Sequence, residues 1–341
     1  MRKTLFIFTI LLLLGSGYAQ DVSKVGTAGC QFLKIGVDPR GVAMGEAFTA
    51  LTTGVPSLYW NPAGLAVTDG QQLVVSDVEW FADIRTNFLG YSLPMGRMGT
   101  LGMGFTALTM AEEEITEVVN PEGTGYYWGA NSFALALSYA RQLTTEFAFG
   151  ITGKLLTERI WDVSSTGFGI DFGALLYPEV AKGLRLGLAI TNFGPDMQFR
   201  GGQLDEEVYR PDWADLTGPM EVGLTSMPYS LPLAIRLGIV YELVNTPSNW
   251  LVTAVELSHP KDGPEKVHIG SEYGYKNTLF LRAGYKYDRY MYDYRESNTD
   301  GFSVGAGIRY AMNGAAYKVD YAMINKGYLG WQPLFSLGLE F

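Results

Sequence analysis

The last seven residues, Phe335-Ser336-Leu337-Gly338-Leu339-Glu340-Phe341, alternate between apolar and polar or small positions. Successive side chains of an extended strand point to opposite faces, so Phe335, Leu337, Leu339 and Phe341 share one face. A terminal strand that is apolar on one side and ends on an aromatic is how a bacterial outer-membrane β-barrel closes. Those four positions are read as the signal to the barrel-assembly machinery.

The other end of the chain agrees. Arg2 and Lys3 precede an apolar stretch from Leu5 to Leu14, and Gly17 and Ala19 are the small residues of a cleavage site before Gln20. Residues 1–19 therefore read as a signal peptide for export. No later segment has the roughly 18 unbroken apolar residues of a spanning helix. A membrane-embedded form must then be a closed barrel, because only helices and barrels satisfy every backbone group in lipid.

Composition narrows the classes further. Cys30 is the single cysteine, so no disulfide framework exists. Ala28-Gly29-Cys30 has the outline of a lipoprotein box. Asp21 and Lys24 separate it from the apolar stretch, and Thr27 stands where a leucine is usual, so the sequence does not favour lipidation. A net charge of −10 argues against nucleic acid as a partner. The 42 glycines, with 7 Trp, 21 Tyr and 18 Phe, suit a barrel with a crowded lumen and interfacial aromatics.

Period-2 segments predict strands near 73–81, 86–94, 99–109, 132–142, 147–158, 167–177, 184–193, 233–243, 250–259, 266–275, 278–287, 301–310, 317–324 and 335–341. The count is about fourteen, even as bacterial single-chain barrels require. Even-numbered connections are short. Most odd-numbered ones are expected to be longer: 110–131, 159–166, 194–232, 288–300 and 325–334. Short periplasmic turns alternating with long external loops are a barrel property. Single strands also segregate charge, with Leu279, Leu281, Ala283 and Tyr285 opposite Arg282 and Lys286, and Tyr317, Val319 and Tyr321 opposite Lys318 and Asp320. A basic side chain facing lipid at the midplane costs about 2–4 kcal/mol, so the polar face is the lumen. Aromatics including Tyr177, Trp250, Tyr275 and Tyr310 are expected to form a periplasmic girdle, and Trp80, Trp128, Trp161 and Tyr287 an outer one.

Residues 20–70 precede the first strand and differ from it. Gly36-Val37-Asp38-Pro39-Arg40-Gly41-Val42-Ala43-Met44-Gly45 leads into Phe48-Thr49-Ala50; the small residues from Val42 to Ala50 predict a short, tightly packed helix, and Asn61-Pro62 marks a turn. A segment this size with few charges is expected to plug the barrel of residues 71–341. These stretches, with Tyr59-Trp60 and the run from Ala28 to Gly36, resemble the PorV/PorQ family, a branch of the FadL-like outer-membrane barrels. So do Val319-Asp320-Tyr321-Ala322 and the C-terminal run. The resemblance implies a fourteen-stranded barrel with a hatch, whose motif residues here are Gly36, Arg40, Met44, Gly45, Asn61, Pro62, Ala63 and Gly64. PorV-like members act in type IX secretion, taking exported proteins by a C-terminal domain to a surface attachment enzyme. FadL-like relatives pass hydrophobic molecules through the barrel wall.

Catalytic and metal signals are weak. Gly301-Phe302-Ser303-Val304-Gly305 matches a nucleophile-elbow pattern, yet Ser303 lies inside a strand and the motif needs a strand-to-helix turn. His259 and His268 lack metal-ligand spacing, and Glu112, Glu113, Glu114 and Glu117 read as a solvated acidic rim. No enzyme, cofactor or metal is expected. The best binding candidate is the 194–232 loop, where Phe199, Tyr209, Arg210 and Trp213 combine aromatic anchors with arginine. Three readings stay open: an accessory of type IX secretion that binds cargo on its loops, a passive transporter of hydrophobic molecules, and a structural barrel. Outer-membrane lipid is a partner in all three.

Overall fold

The period-2 pattern becomes strand pairing all the way round. The computed structural model describes residues 26–68, 70–208, 220–288 and 301–341. The signal segment 1–19 and loop residues Tyr209, Arg210 and Trp213 lie outside those residues. In chain order come β1 (Gln72–Glu79), β2 (Arg85–Pro94), β3 (Thr100–Thr109), the short pair β4 (Glu113–Glu114) and β5 (Tyr127–Trp128), then β6 (Ala130–Gln142). β7 (Phe147–Ile160), β8 (Val163–Leu176) and β9 (Leu184–Phe193) follow, then a second short pair, β10 (Asp205–Val208) and β11 (Met220–Gly223). The chain ends with β12 (Ala234–Asn245), β13 (Asn249–Pro260), β14 (Lys266–Tyr275), β15 (Leu279–Asp288), β16 (Phe302–Met312), β17 (Ala315–Asn325) and β18 (Trp331–Glu340).

Fourteen of these strands form one closed antiparallel barrel; the two short pairs stand outside it. Closure is made by β1 and β18, from Gln72↔Glu340 to Val78↔Leu334. The sheet therefore closes on itself, as a strand structure in lipid requires, with each of the fourteen strands paired to a neighbour on both sides over at least part of its length. Phe335, Leu337 and Phe341 face outward, while Ser336 is buried on the lumenal side.

Burial follows the predicted face assignment. Leu281 is 62% exposed and its neighbour Arg282 only 6%. Leu135, Leu137, Leu237, Ile239, Val304, Ile308 and Val319 are likewise exposed on the outside. A belt of large apolar side chains around a whole barrel is a lipid-facing surface.

Two expectations about connections do not hold. The predicted long loop 159–166 is a tight turn: Ile160 pairs with Val163, and Trp161 turns the chain at φ 54. The predicted loop 325–334 is also short, because β18 begins at Trp331. Thr157-Glu158-Arg159 and Ser164-Ser165-Thr166 are polar, but backbone pairing is indifferent to side-chain polarity and continues where the strands leave the apolar band. Three expected girdle aromatics also point elsewhere. Trp80 packs on the buried core cluster, with the Lys326 ammonium 5.6 Å from its ring. Trp250 lies on the face of buried Val252, Ala254 and Glu256, and together with Tyr177 it lines the lumen near the short-turn end.

Candidate functional site

Residues 26–68 run inside the barrel from one end to the other. At the long-loop end, which faces outward in outer-membrane barrels, the Gly29 N–H donates to the Ser230 carbonyl at 3.0 Å. There Gln31 and Lys34 reach Asp262 at 2.9 and 2.6 Å. At the short-turn end, the periplasmic end, Gln71 and Phe341 exchange backbone hydrogen bonds. Between these ends the segment is built from short turns and helices pressed against the wall.

The motif residues make those contacts. The short helix lies earlier than the Val42–Ala50 stretch expected for it, at Pro39–Ala43, because Asp38 caps it there, accepting from the Gly41 N–H at 2.8 Å, with proline at the first helical position, where its missing donor costs nothing. Arg40 gives a two-pronged bond to Glu272 on β14, at 2.8 and 2.7 Å. Met44 is fully buried. Gly45 has φ 66, and a Cβ there would lie 2.6 Å from the backbone nitrogen of Tyr285 on β15. Only glycine permits both that conformation and that approach. Asn61 accepts from the Ala63 N–H and donates to the carbonyls of Thr49 and Ala174, tying the Pro62–Val67 helix to β8. Gly36 leaves room for Val42, and Gly64 packs against Thr52.

Residues of the wall that were singled out for other reasons serve the same attachment. The Ser303 hydroxyl accepts from the Gly45 N–H at 3.0 Å and donates to the Ala43 carbonyl at 3.1 Å. His268 Nδ1 donates to the Gly45 carbonyl at 2.8 Å. Glu256 accepts from the Phe48 and Thr49 N–H groups at 3.0 and 2.8 Å. Burial followed by the nearby Asp320 carboxylate pushes Asp38 up to about 6. Burial also acts to raise Glu46, but Lys286 at 2.7 Å and Lys326 at 3.7 Å outweigh it and hold that carboxyl well below its ordinary 4.5.

The lumenal charges meet as the strand faces predict. Arg282 bridges Glu272 and Asp320, Arg309 and Lys318 share Glu340, and Lys154 meets Asp171 at 2.6 Å. Arg236 stands 4.0 Å from Glu256 and 5.1 Å from the Trp60 ring. Phe48 and Trp60 are completely buried at the centre, so no direct tunnel runs past them.

The outer half contains a different surface. Cys30, Phe32, Leu156, Met197 and Leu231 belong to one buried apolar cluster, with the Cys30 Sγ 3.5 Å from the Met197 Sδ. Burial pushes the Cys30 thiol well above its ordinary range, so it is an inert packing group. This cluster lies behind the least regular part of the wall. The β8–β9 register slips between Ile170 and Phe172, Asn192 turns at φ 61, and β8 has no β9 partner above Ile170. The stretch after β9 closes that panel with isolated bridges, Ser164↔Arg200 and Met197↔Tyr229. Met197 and Leu231 fill the space beside Gly167 and Gly169, while Phe168 and Phe193 are exposed outside.

Sequence reading missed Met197 and Leu231. Phe199, a residue of the candidate binding loop, is half-buried against Tyr229, with ring centroids 5.4 Å apart. The signal for Met197 and Leu231 was slight: two apolar residues without strand periodicity.

No family model and no curated protein matches the sequence. Solved structures do match in shape. The CymD monoaromatic hydrocarbon channel aligns with a TM-score of 0.55 at 14% identity, over 90% of this chain and 98% of that one. The Ralstonia pickettii toluene transporter TbuX aligns at 0.55 and 12% identity, over 89% of this chain and 97% of its own. A Pseudomonas aeruginosa FadL homologue aligns at 0.54 and 14% identity, over 89% and 98%. This chain has the FadL-like barrel fold. At such identities the likeness is one of fold alone.

Proposed function

We propose that this protein is an outer-membrane transporter that passes small hydrophobic molecules sideways, from its outer apolar cluster through the β8 wall panel into the bilayer. The carrying observation is the apolar cluster behind an irregular panel, with Met197 and Leu231 inside and Phe168 and Phe193 outside. A hydrophobe crossing there meets apolar side chains on both faces of the panel and passes the Glu158 carboxylate, which the Cys30 N–H and the Tyr229 hydroxyl already occupy. A straight passage would require it to pass Phe48 and Trp60 and then the ion pairs of Arg40, Arg282 and Glu272, where displacing polar contacts costs free energy. Proteins of the same fold include a monoaromatic hydrocarbon channel and a toluene transporter, which agrees with this chemistry.

The test is a staple across the panel. Ser164→Cys with Arg200→Cys joins the two sides of the existing bridge. Uptake of labelled toluene by cells carrying the parent should exceed that of cells without it. The oxidised double variant should lose this gain and recover it on reduction. Uptake unaffected by the staple would sink the lateral route.

One observation favours a second reading, that of a cargo-binding accessory of type IX secretion: the closed centre at Phe48 and Trp60 leaves the external loops as the accessible surface. Stoichiometric co-purification of secreted proteins sharing a C-terminal domain, together with a surface attachment enzyme and without toluene uptake, would select it.

A further inference from the structure

The periplasmic mouth holds a cavity of about 580 Å³ that the outer transport route does not use. That size lies in the range of small-molecule sites, about 300–1,000 Å³. The inner segment forms one side of it through Arg40, Thr53 and Thr68, and the wall from Arg185 of β9 round through β18 to Gln72 of β1 forms the other.

Its charge is opposite to that of the whole chain. Arg309 and Lys318 share the single Glu340 carboxylate, and Arg40 and Arg282 share Glu272, with Asp320 as a further partner of Arg282. Arg185 has Glu242 to itself. Lys276 at the rim has no carboxylate partner among the described residues; its ammonium lies 5.2 Å from the Tyr275 ring centroid. Six cationic side chains thus line the cavity against four carboxylates, including Glu272 behind the wall of the cavity, in a protein whose net charge is −10. Donors also remain. Arg309 commits Nε and Nη2 to Glu340 and Arg40 commits Nε and Nη2 to Glu272, so the Nη1 group of each makes no hydrogen bond among the described residues.

The cavity also has flat apolar surface. Trp250 and Phe280 line it and converge on Gly274, where a Cβ would lie 3.3 and 3.2 Å from their rings. Phe280 pairs in register with Gly307, two residues from Arg309 on the same lumenal face. Surplus positive charge beside two aromatic planes suits one class of ligand.

We propose that the periplasmic mouth binds a small organic carboxylate with a flat apolar body. The carboxylate sits among Arg309, Lys318 and Lys276, and the apolar body lies against Trp250 and Phe280. This site is separate from the outer panel, so its loss and the loss of toluene uptake are independent results.

The test is calorimetric titration of 2-naphthoate into the intact protein in phosphatidylcholine nanodiscs, with empty nanodiscs subtracted. Saturable binding at one site is expected, with 2-naphthamide, the neutral analogue, at least about tenfold weaker, a ratio typical of one charge-assisted contact. Lys276→Gln and Lys318→Gln should each weaken 2-naphthoate several-fold. Glu340→Gln releases Arg309 and Lys318 from their shared partner and should tighten it, a gain that misfolding cannot produce. Absence of saturable binding, equal binding of acid and amide, or unchanged or weaker affinity in Glu340→Gln would overturn the proposal.

Discussion

Two neighbourhoods of the lumen, one behind the β8 panel and one around Glu272, solve the same packing problem with different chemistry. In the first, Cys30, Phe32, Leu156, Met197 and Leu231 exclude water by apolar contact, beside a panel joined by isolated bridges. In the second, carboxylates and guanidinium groups tie the inner segment to β14, β15 and β17 and border an open cavity. Apolar contacts are non-directional and allow one hydrophobe to replace another, whereas buried ion pairs fix geometry and penalise the loss of one partner. The contrast fits the passage proposed at the outer panel, whereas ion pairs anchor the inner segment toward both ends, Lys34–Asp262 and Glu46–Lys286 at one and Arg40–Glu272 at the other.

The largest expected effect comes from the anchor. Glu272→Ala leaves Arg40 and Arg282 without their shared carboxylate, and should cost about 3–5 kcal/mol in urea unfolding from lipid vesicles. A loss under about 1 kcal/mol would mean that the ion pairs contribute no anchorage beyond that of exposed pairs. Leu156→Ala in the apolar cluster should cost somewhat less on average, about 2–5 kcal/mol for a buried leucine. It should also raise toluene uptake by enlarging the space beside Leu231. Unchanged or lower uptake in a folded variant would argue against passage through this cluster.

The smallest effect is titration of the Glu46 latch. Its carboxyl is depressed in the folded protein, so its stabilising contribution is present above its ordinary 4.5 and is lost as pH falls below that toward the depressed value. Amide exchange in residues 45–52, corrected for its intrinsic pH dependence, should accelerate below about pH 4.5 in the parent. Glu46→Gln, which lacks the charge, should show faster exchange already at neutral pH and a flatter profile. An identical profile in both would remove Glu46 from the latch.

Much of the wall was legible before any coordinates. Strand number, the lumenal side of Arg282, Arg309 and Lys318, and the outward face of Leu281 and Val319 all follow from period-2 alternation. Trp250 was legible too: it shares parity with Glu256 and so belongs to the lumen, although its position near a strand end argued for a girdle. The tight turn at Trp161 was hidden by polar flanks whose backbone pairing continues past the membrane band.

The sequence by itself determined that this chain crosses a membrane as strands and which side chains of each strand meet lipid, because alternation is a local property of extended backbone. Tertiary structure alone decided that Arg40 meets Glu272, 232 positions away, and that Met197 fills a gap beside Gly167. It also decided that a cationic surplus collects at the periplasmic mouth. Those contacts arise from barrel closure and from the path of the inner segment through the lumen, which bring together residues that no local periodicity relates.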